Sequence, residues 1–420
     1  FTNARKNWAY RQDQLPSTHP IAADNYDLQA VEVNFDGITY AKGASTLKQL
    51  VAWVGIEEFL AGLRDYFKAH EFANSEFSDL LAALEKASGR ELTTWAQEWL
   101  QTSGVNTLAP DFEVGDDGAF TRFAVAQTAA EEFPTIRRHR IGIGLYDLVD
   151  GALTRRTSLE IDVQGGSTEV PDLVGVAQPD LLLLNDGDLT YAKIRLDERS
   201  LATAVASIDK VDDSLARALL WGATRDMTRD AEMAATDFVE LVLRGIGTET
   251  DTTAVGRLPG YVQTAISYYS DPSRRAELRA RWETGLRGLL DCAEAGSDHQ
   301  LAFVRAYASA ARSDEALDLV AGLLDGATTL PGLTVDTDLR WTLLASLARG
   351  GRADQARIEE ELTRDKTISG QEHAALALTV RPTAEAKAQA WHDAIERDDV
   401  ANETQRQIAY AFPVPDQAEL

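Results

Sequence analysis

The sequence predicts a multidomain, mostly α-helical protein with a small antiparallel β-sandwich in its middle. With 420 residues, 44% of them hydrophobic, the chain is long enough for two to four domains that each bury a core. Helical spacing of apolar residues dominates both ends of the chain, and strand-like alternation is confined to the region between them. We therefore predict three domains, at residues 1–106, 107–196 and 197–420.

The first region is helical from about residue 43 to residue 104. Its first helix has four apolar residues at the spacing of one buried face, namely Leu47, Leu50, Val51 and Val54. Gly55 is the predicted stop of this helix. A second helix is predicted from Ser78 to Gly89, and Thr94 with Gln97 predicts a capping box at the start of a third. We expect Trp95 and Trp99, one turn apart in that third helix, to pack in the core.

The middle region alternates apolar and polar residues as half-buried strands do, for example over residues 139–145 and 158–163. Turn signals such as Asp150-Gly151 separate these runs at intervals that suit hairpins. Residues 181–184 are four consecutive leucines, which predicts a strand buried on both faces.

After residue 197 the helical period returns and continues to the end of the chain. The clearest segments are residues 216–227, 235–245, 278–290, 301–311 and 340–348. Helices of this length joined by short polar connections predict a curved array like those of HEAT or armadillo proteins, although the residues contain no strict repeat.

Charge and composition exclude several classes of partner. A formal charge of -26 repels phosphate backbones, so we expect no nucleic-acid partner. No apolar run approaches the roughly 20 residues that a membrane span needs, so no membrane partner is expected. Cys292 is the only cysteine, which excludes an intrachain disulfide and fits a cytoplasmic protein. Because it lies within a helical run, we expect it to be a packing residue. Because Phe1 takes the place of an initiator Met, we expect a longer parent polypeptide.

Common catalytic motifs are missing from the sequence. The six histidines are scattered, no two lie at i and i+4, and no His-Glu-x-x-His zinc helix occurs. There is also no Gly-x-Ser-x-Gly nucleophile turn and no phosphate-binding glycine loop. The chain by itself is therefore predicted to bind no metal and no nucleotide.

The turn His19-Pro20-Ile21, followed by Phe35-Asp36-Gly37-Ile38-Thr39-Tyr40-Ala41-Lys42-Gly43-Ala44, resembles the aminopeptidase N family of zinc metallopeptidases. The resemblance is strongest over residues 17–104 and continues more weakly to the end of the chain. Residues 196–420 resemble the helical C-terminal domain that this family shares with the peptide-trimming aminopeptidases of the endoplasmic reticulum. The family resemblance also implies that residues 1–106 form the helical end of a thermolysin-like catalytic domain.

This resemblance implies a zinc-dependent enzyme that removes N-terminal residues from peptides, so peptide substrates are the expected partners. It also places the zinc-binding motif and the third-ligand glutamate upstream of Phe1. Zinc is then a cofactor of the full-length parent and is not bound by this fragment, which we expect to be inactive alone. The alternative is a non-enzymatic α-solenoid scaffold that binds a protein partner and needs only residues 196–420.

By the same resemblance, Tyr40 is the catalytic residue whose hydroxyl faces the scissile carbonyl. A phenol is neutral at pH 7 and can donate a hydrogen bond to the oxygen as negative charge develops. Without the motif, a core aromatic ahead of a helix is the competing interpretation of Tyr40. Gly43 is expected to permit a close backbone approach, Lys42 to be a solvated or structural cation, and His19 to be a buried structural residue.

Overall fold

The computed structural model describes residues 1–420 and divides them into two compact units. The first unit comprises Phe1–Gly245 with Glu249–Arg257, and the second comprises Ile246–Thr248 with Leu258–Leu420. Helices predominate in both units, as the sequence predicts. None of the helices combines the length and the apolar character needed to cross a membrane.

The first unit opens with short helices and two π-helical turns. The π-helical turns are Thr2–Lys6 and Ile38–Lys42. The α-helices are α1 Asn7–Gln12, α2 Leu28–Val33, α3 Gly43–Val54, α4 Ile56–Ala69, α5 Phe77–Ser88 and α6 Thr93–Leu100. Apolar side chains from α1, α3, α5 and α6 pack into one core cluster, and Trp95 and Trp99 are buried within it as predicted.

The ends of these helices test the capping predictions. Helix α3 ends at Gly55, whose φ of 94° suits glycine and few other residues. Helix α5 begins one residue before Ser78 and uses a reciprocal cap between Glu76 and Asp79. The predicted capping box at Thr94 is wrong, because that residue lies inside α6 and its amide donates instead to the carboxylate of Glu91 at 2.7 Å.

Seven strands follow and form two sheets. They are β1 Thr107–Val114, β2 Phe120–Thr128, β3 His139–Val149, β4 Ala152–Val163, β5 Ser167–Glu169, β6 Leu181–Asp186 and β7 Lys193–Ile194. Their orders are β5-β2-β1-β7 and β4-β3-β6. All pairs are antiparallel except β1 with β7, which is parallel.

Local sequence signals in the sheet region are confirmed. Asp150 and Gly151 both have positive φ and join β3 to β4, as a two-residue hairpin turn requires. Every residue of β6 is buried, so the leucine run is a strand covered on both faces.

Helices α7 Glu198–Ser207, α8 Ser214–Arg229 and α9 Ala235–Gly245 complete the main part of the first unit, and α10 Thr252–Thr264 continues the chain. The second unit contains α11 Arg275–Cys292, α12 Asp298–Ala310, α13 Asp314–Asp325, α14 Thr337–Arg349, α15 Gln355–Arg364, α16 Ile368–Thr379, α17 Ala384–Trp391 and α18 Asn402–Ala411, with further π-helical turns at Ala265–Tyr269 and His392–Glu396. Most of these helices pack against helices one or two places along the chain, and α14 touches α12, α13 and α16.

Cys292 does not pack in the core, so that prediction was wrong. Leu286 and Leu290 lie one turn apart on the buried face of α11, and both are buried. Cys292 follows Leu290 by two residues, which rotates it by about 200° to the outer face of the helix. Its thiol group is therefore exposed.

Candidate active site

Tyr40 lies in the middle of the π-helical turn Ile38–Lys42. The start of this turn is held by Asp36, whose Oδ1 accepts hydrogen bonds from the amides of Ile38 at 2.8 Å and Thr39 at 3.1 Å. This is the arrangement by which an aspartate ahead of a helix satisfies the first free amides. The Phe-Asp-Gly-Ile-Thr-Tyr motif therefore encodes its own local cap.

Gly37 is the glycine that permits a close approach in this motif. Its amide donates to Gln12 Oε1 at 2.6 Å, and an added Cβ would lie 2.5 Å from that oxygen and 3.0 Å from the Trp8 ring. Gly43, for which we predicted this role, has its nearest neighbour 3.8 Å from an added Cβ, so that prediction was wrong. The close contact is made to α1, whose position could not be inferred from the motif.

The Tyr40 side chain is on the surface and lines a cleft. It is 49% exposed, and its ring meets Phe35 edge to face with ring centroids 4.7 Å apart. The cleft has a volume of about 510 Å³ and is lined by Phe1, Arg5, Trp8, Phe35, Tyr40 and Ala41. A core aromatic would be enclosed by other side chains, so the competing interpretation of Tyr40 does not describe its place in the fold.

Lys42, at the end of the same turn, is a fully buried structural cation. Its Nζ lies 2.9 Å from Asp13 Oδ2, and neither side chain is accessible to solvent. The ammonium also donates to the carbonyl of Gly104 at 3.1 Å. Burial lowers the pKa of Lys42 to about 8; Asp13 opposes this shift and the nearby Arg137 charge reinforces it.

Asp13 connects this turn to other parts of the first unit. Its Oδ1 accepts hydrogen bonds from the Thr18 hydroxyl at 2.7 Å and from the Gly104 amide at 2.9 Å. The ring of Tyr191 lies over the Lys42 ammonium at 5.7 Å. Burial, together with the Asp13 charge, raises the pKa of Tyr191 well above its ordinary value.

His19 supports the turn from the other side. Its Nδ1 lies 2.8 Å from the carbonyl oxygen of Pro20, and its Nε2 lies 3.2 Å from Asp36 Oδ2. Only 16% of the side chain is exposed, and its contacts are those of a structural residue, as the sequence predicts. Because Asp36 caps the Tyr40 turn, the His-Pro-Ile segment and the tyrosine motif contact each other directly.

Sequence reasoning missed the residues of the first π-helical turn and α1. Arg5 and Trp8 line the cleft, while Gln12 and Asp13 hold the two ends of the Tyr40 turn. Trp8 and Gln12 are four residues apart and share a helix face, which was the available signal.

The chain contains no group of three or more His, Cys, Asp or Glu side chains arranged to hold a metal ion. The zinc that the family resemblance implies therefore does not fit any set of residues within this chain. What the site offers chemically is a partly exposed phenol on the wall of a largely aromatic cleft.

Comparison with known proteins gives two family matches. Residues 1–99 match the peptidase family M1 domain, and residues 181–420 match the ERAP1-like C-terminal domain. The chain is 53% identical over its whole length to aminopeptidase N of Streptomyces lividans and spans 50% of that protein. It is 29% identical to tricorn protease-interacting factor F2 of Thermoplasma volcanium over 54% of this chain and 26% of that protein. It is 26% identical to aminopeptidase M1 of Arabidopsis thaliana over 50% of this chain and 22% of that protein.

Proposed function

We propose a function from one premise: the chain belongs to the aminopeptidase N family, within peptidase family M1. The polypeptide that contains it removes N-terminal residues from peptides, and Tyr40 is a catalytic residue of that reaction. The position of Tyr40 on the wall of the open cleft is the observation that supports this most directly.

Tyr40 acts as a hydrogen-bond donor to the substrate. As water adds to the scissile carbonyl, negative charge develops on its oxygen, and the phenol donates to that oxygen without itself changing charge. A hydrogen-bond donor that is held in place before the reaction stabilises the developing charge most strongly in a site from which water is excluded. Phe35 and Trp8 supply apolar surface beside Tyr40 and would displace water when a peptide occupies the cleft.

Zinc belongs, in this proposal, to the complete enzyme. The family is zinc-dependent, and when bound the metal would polarise the substrate carbonyl. No set of residues within this chain fits the ion, so we propose that its ligands lie in the rest of the parent and that this chain alone is inactive. The substrates are peptides, and a cytoplasmic location remains a prediction from cysteine usage.

We also propose the three domains that the sequence and the family resemblance predict. Residues 1–106 are the helical end of a thermolysin-like catalytic domain, residues 107–196 a β-sandwich, and residues 197–420 a HEAT-like or armadillo-like array. Support for the array comes from the second unit, where α12, α14 and α16 pack in series and α13 and α15 pack against the following helices.

The test is hydrolysis of an amino-acid amide fluorophore by the full-length parent and by its Tyr40→Phe variant. Removing one donor to a developing oxyanion costs ~2.7–4 kcal/mol, so we expect kcat to fall by roughly a hundred- to a thousandfold. A matched control is Tyr268→Phe, which removes another exposed phenol from the second unit and should leave kcat unchanged.

Unchanged kcat in Tyr40→Phe would refute the catalytic role of this residue. A full-length parent that hydrolyses no aminopeptidase substrate would instead favour the α-solenoid scaffold, which requires only residues 196–420.

A further inference from the structure

The ion pair between Lys42 and Asp13 is unusual because both side chains are completely buried. Removing two charges from water is costly, and such a pair often stabilises a protein less than apolar residues of the same volume would. The lowered pKa of Lys42 agrees, since burial outweighs the attraction of Asp13. Stability alone therefore does not account for a lysine at this position.

The geometry relates the pair to Tyr40. A π-helical turn holds one residue more than an α-helical turn, and such turns occur frequently at functional sites. This turn is held at its start by Asp36 and Gln12, and at its end by Lys42. Tyr40 lies between these anchors, and its ring meets the edge of the Phe35 ring.

We propose that Lys42 is a positioning residue, which keeps the Tyr40 turn in its π-helical form by anchoring it to Asp13 and to the Gly104 carbonyl. If the anchor is lost, the turn can relax into the α-helix that continues as α3. An α-helical turn holds one residue fewer, so this relaxation would rotate the side chains that precede α3 by about 100° around the helix axis. The Tyr40 hydroxyl would then turn away from the cleft.

The surroundings of Lys42 make this anchor specific for a lysine. Asp13 supplies the opposing charge and Tyr191 covers the ammonium with its ring, and these contacts favour the ammonium against the repulsion of the Arg137 charge. An apolar side chain of the same length can fill the space but cannot bond to Asp13 or Gly104. Lys42→Met therefore removes the anchor and changes the packing little.

This inference rests on the proposed function, and a double-mutant cycle in the full-length enzyme separates the two. The variants are Lys42→Met, Tyr40→Phe and the combination, each measured for kcat, KM and thermal midpoint with the amide fluorophore. A displacement of about 1 Å in a catalytic group can lower the rate by roughly a hundredfold, so we expect a loss of that order in kcat for Lys42→Met. KM should stay close to that of the unmodified enzyme, whereas the thermal midpoint should fall, because Lys42→Met leaves the buried Asp13 charge without its partner. Kinetics are therefore measured at a temperature at which every variant is folded.

If Lys42 acts through Tyr40, adding Lys42→Met to Tyr40→Phe lowers kcat no further. The matched control is Lys387→Met, which removes another buried lysine that donates to backbone carbonyls, but in the second unit. This control should leave kcat unchanged.

Three results would overturn the inference. One is full kcat in Lys42→Met while Tyr40→Phe is impaired, and another is losses that multiply in the double variant. The third is failure to fold of both Lys42→Met and Asp13→Asn, because the pair would then serve folding and not position. If Tyr40→Phe alone has no effect, the proposed function fails as well.

Discussion

His139 should make the first unit sensitive to acid, and the size of the effect follows from its burial. The imidazole is inaccessible to solvent; its Nδ1 lies 2.8 Å from Thr190 Oγ1 and its Nε2 lies 3.0 Å from Gln127 Oε1. Burial, reinforced by the Arg137 charge, lowers the pKa of His139 from 6.5 to about 3. The folded protein therefore binds a proton at His139 only at a much lower pH than the unfolded chain does.

The sign of the effect follows from proton uptake. Above pH 6.5 the histidine is neutral in both states and contributes no pH dependence. Between pH 6.5 and 3 only the unfolded chain binds the proton, so stability falls as the pH falls. At pH 5, which is 1.5 units below the unfolded pKa, the loss is about 2 kcal/mol at ~1.36 kcal/mol per unit.

The assay is urea unfolding at pH 7 and pH 5, followed by tryptophan fluorescence, since Trp99 packs edge to face on His139 at 5.1 Å. We expect His139→Gln to be less stable at pH 7 but to lose about 2 kcal/mol less than the unmodified chain on going to pH 5. The control His392→Gln changes an exposed histidine and should keep the full acid sensitivity. Equal losses in His139→Gln and the unmodified chain would refute this reasoning.

Three further predictions concern the chain itself. Gly55→Ala should lower the free energy of unfolding by about 1–3 kcal/mol, because φ of 94° with ψ of 141° is a glycine conformation and an added Cβ would lie 2.3 Å from Glu58 Oε2. Gly89→Ala, where the residue is left-handed but has open space around it, should lower it less in the same denaturation assay. Trp99→Ala should lower the free energy of unfolding by about 3–5 kcal/mol, since it leaves a cavity and removes the hydrogen bond that the indole N–H donates to the Arg138 carbonyl at 3.0 Å. An unchanged unfolding midpoint would contradict the place of Trp99 in the core. After metal removal and zinc repletion, the isolated chain should retain far less than one zinc and hydrolyse no amide fluorophore, and stoichiometric zinc would contradict the proposed location of the ligands.

Much of the local structure followed from short-range patterns. The end of α3 at Gly55, the Asp150-Gly151 hairpin and the fully buried strand of leucines depend on residues within a few positions of one another. The predicted cap at Thr94 failed for a related reason, because Glu91 competed for the same amide and the pattern alone did not decide between them.

The sequence by itself determined the helical and strand regions and, through the family resemblance, identified Tyr40 as the residue to examine. Only the tertiary structure decided that Lys42 is buried against Asp13, that Gly37 approaches Gln12, and that Cys292 faces outward. The physical reason is the range of the interactions. Capping, turn and periodicity signals act between near neighbours, whereas the burial of a charge depends on partners such as Gly104 that lie far along the chain.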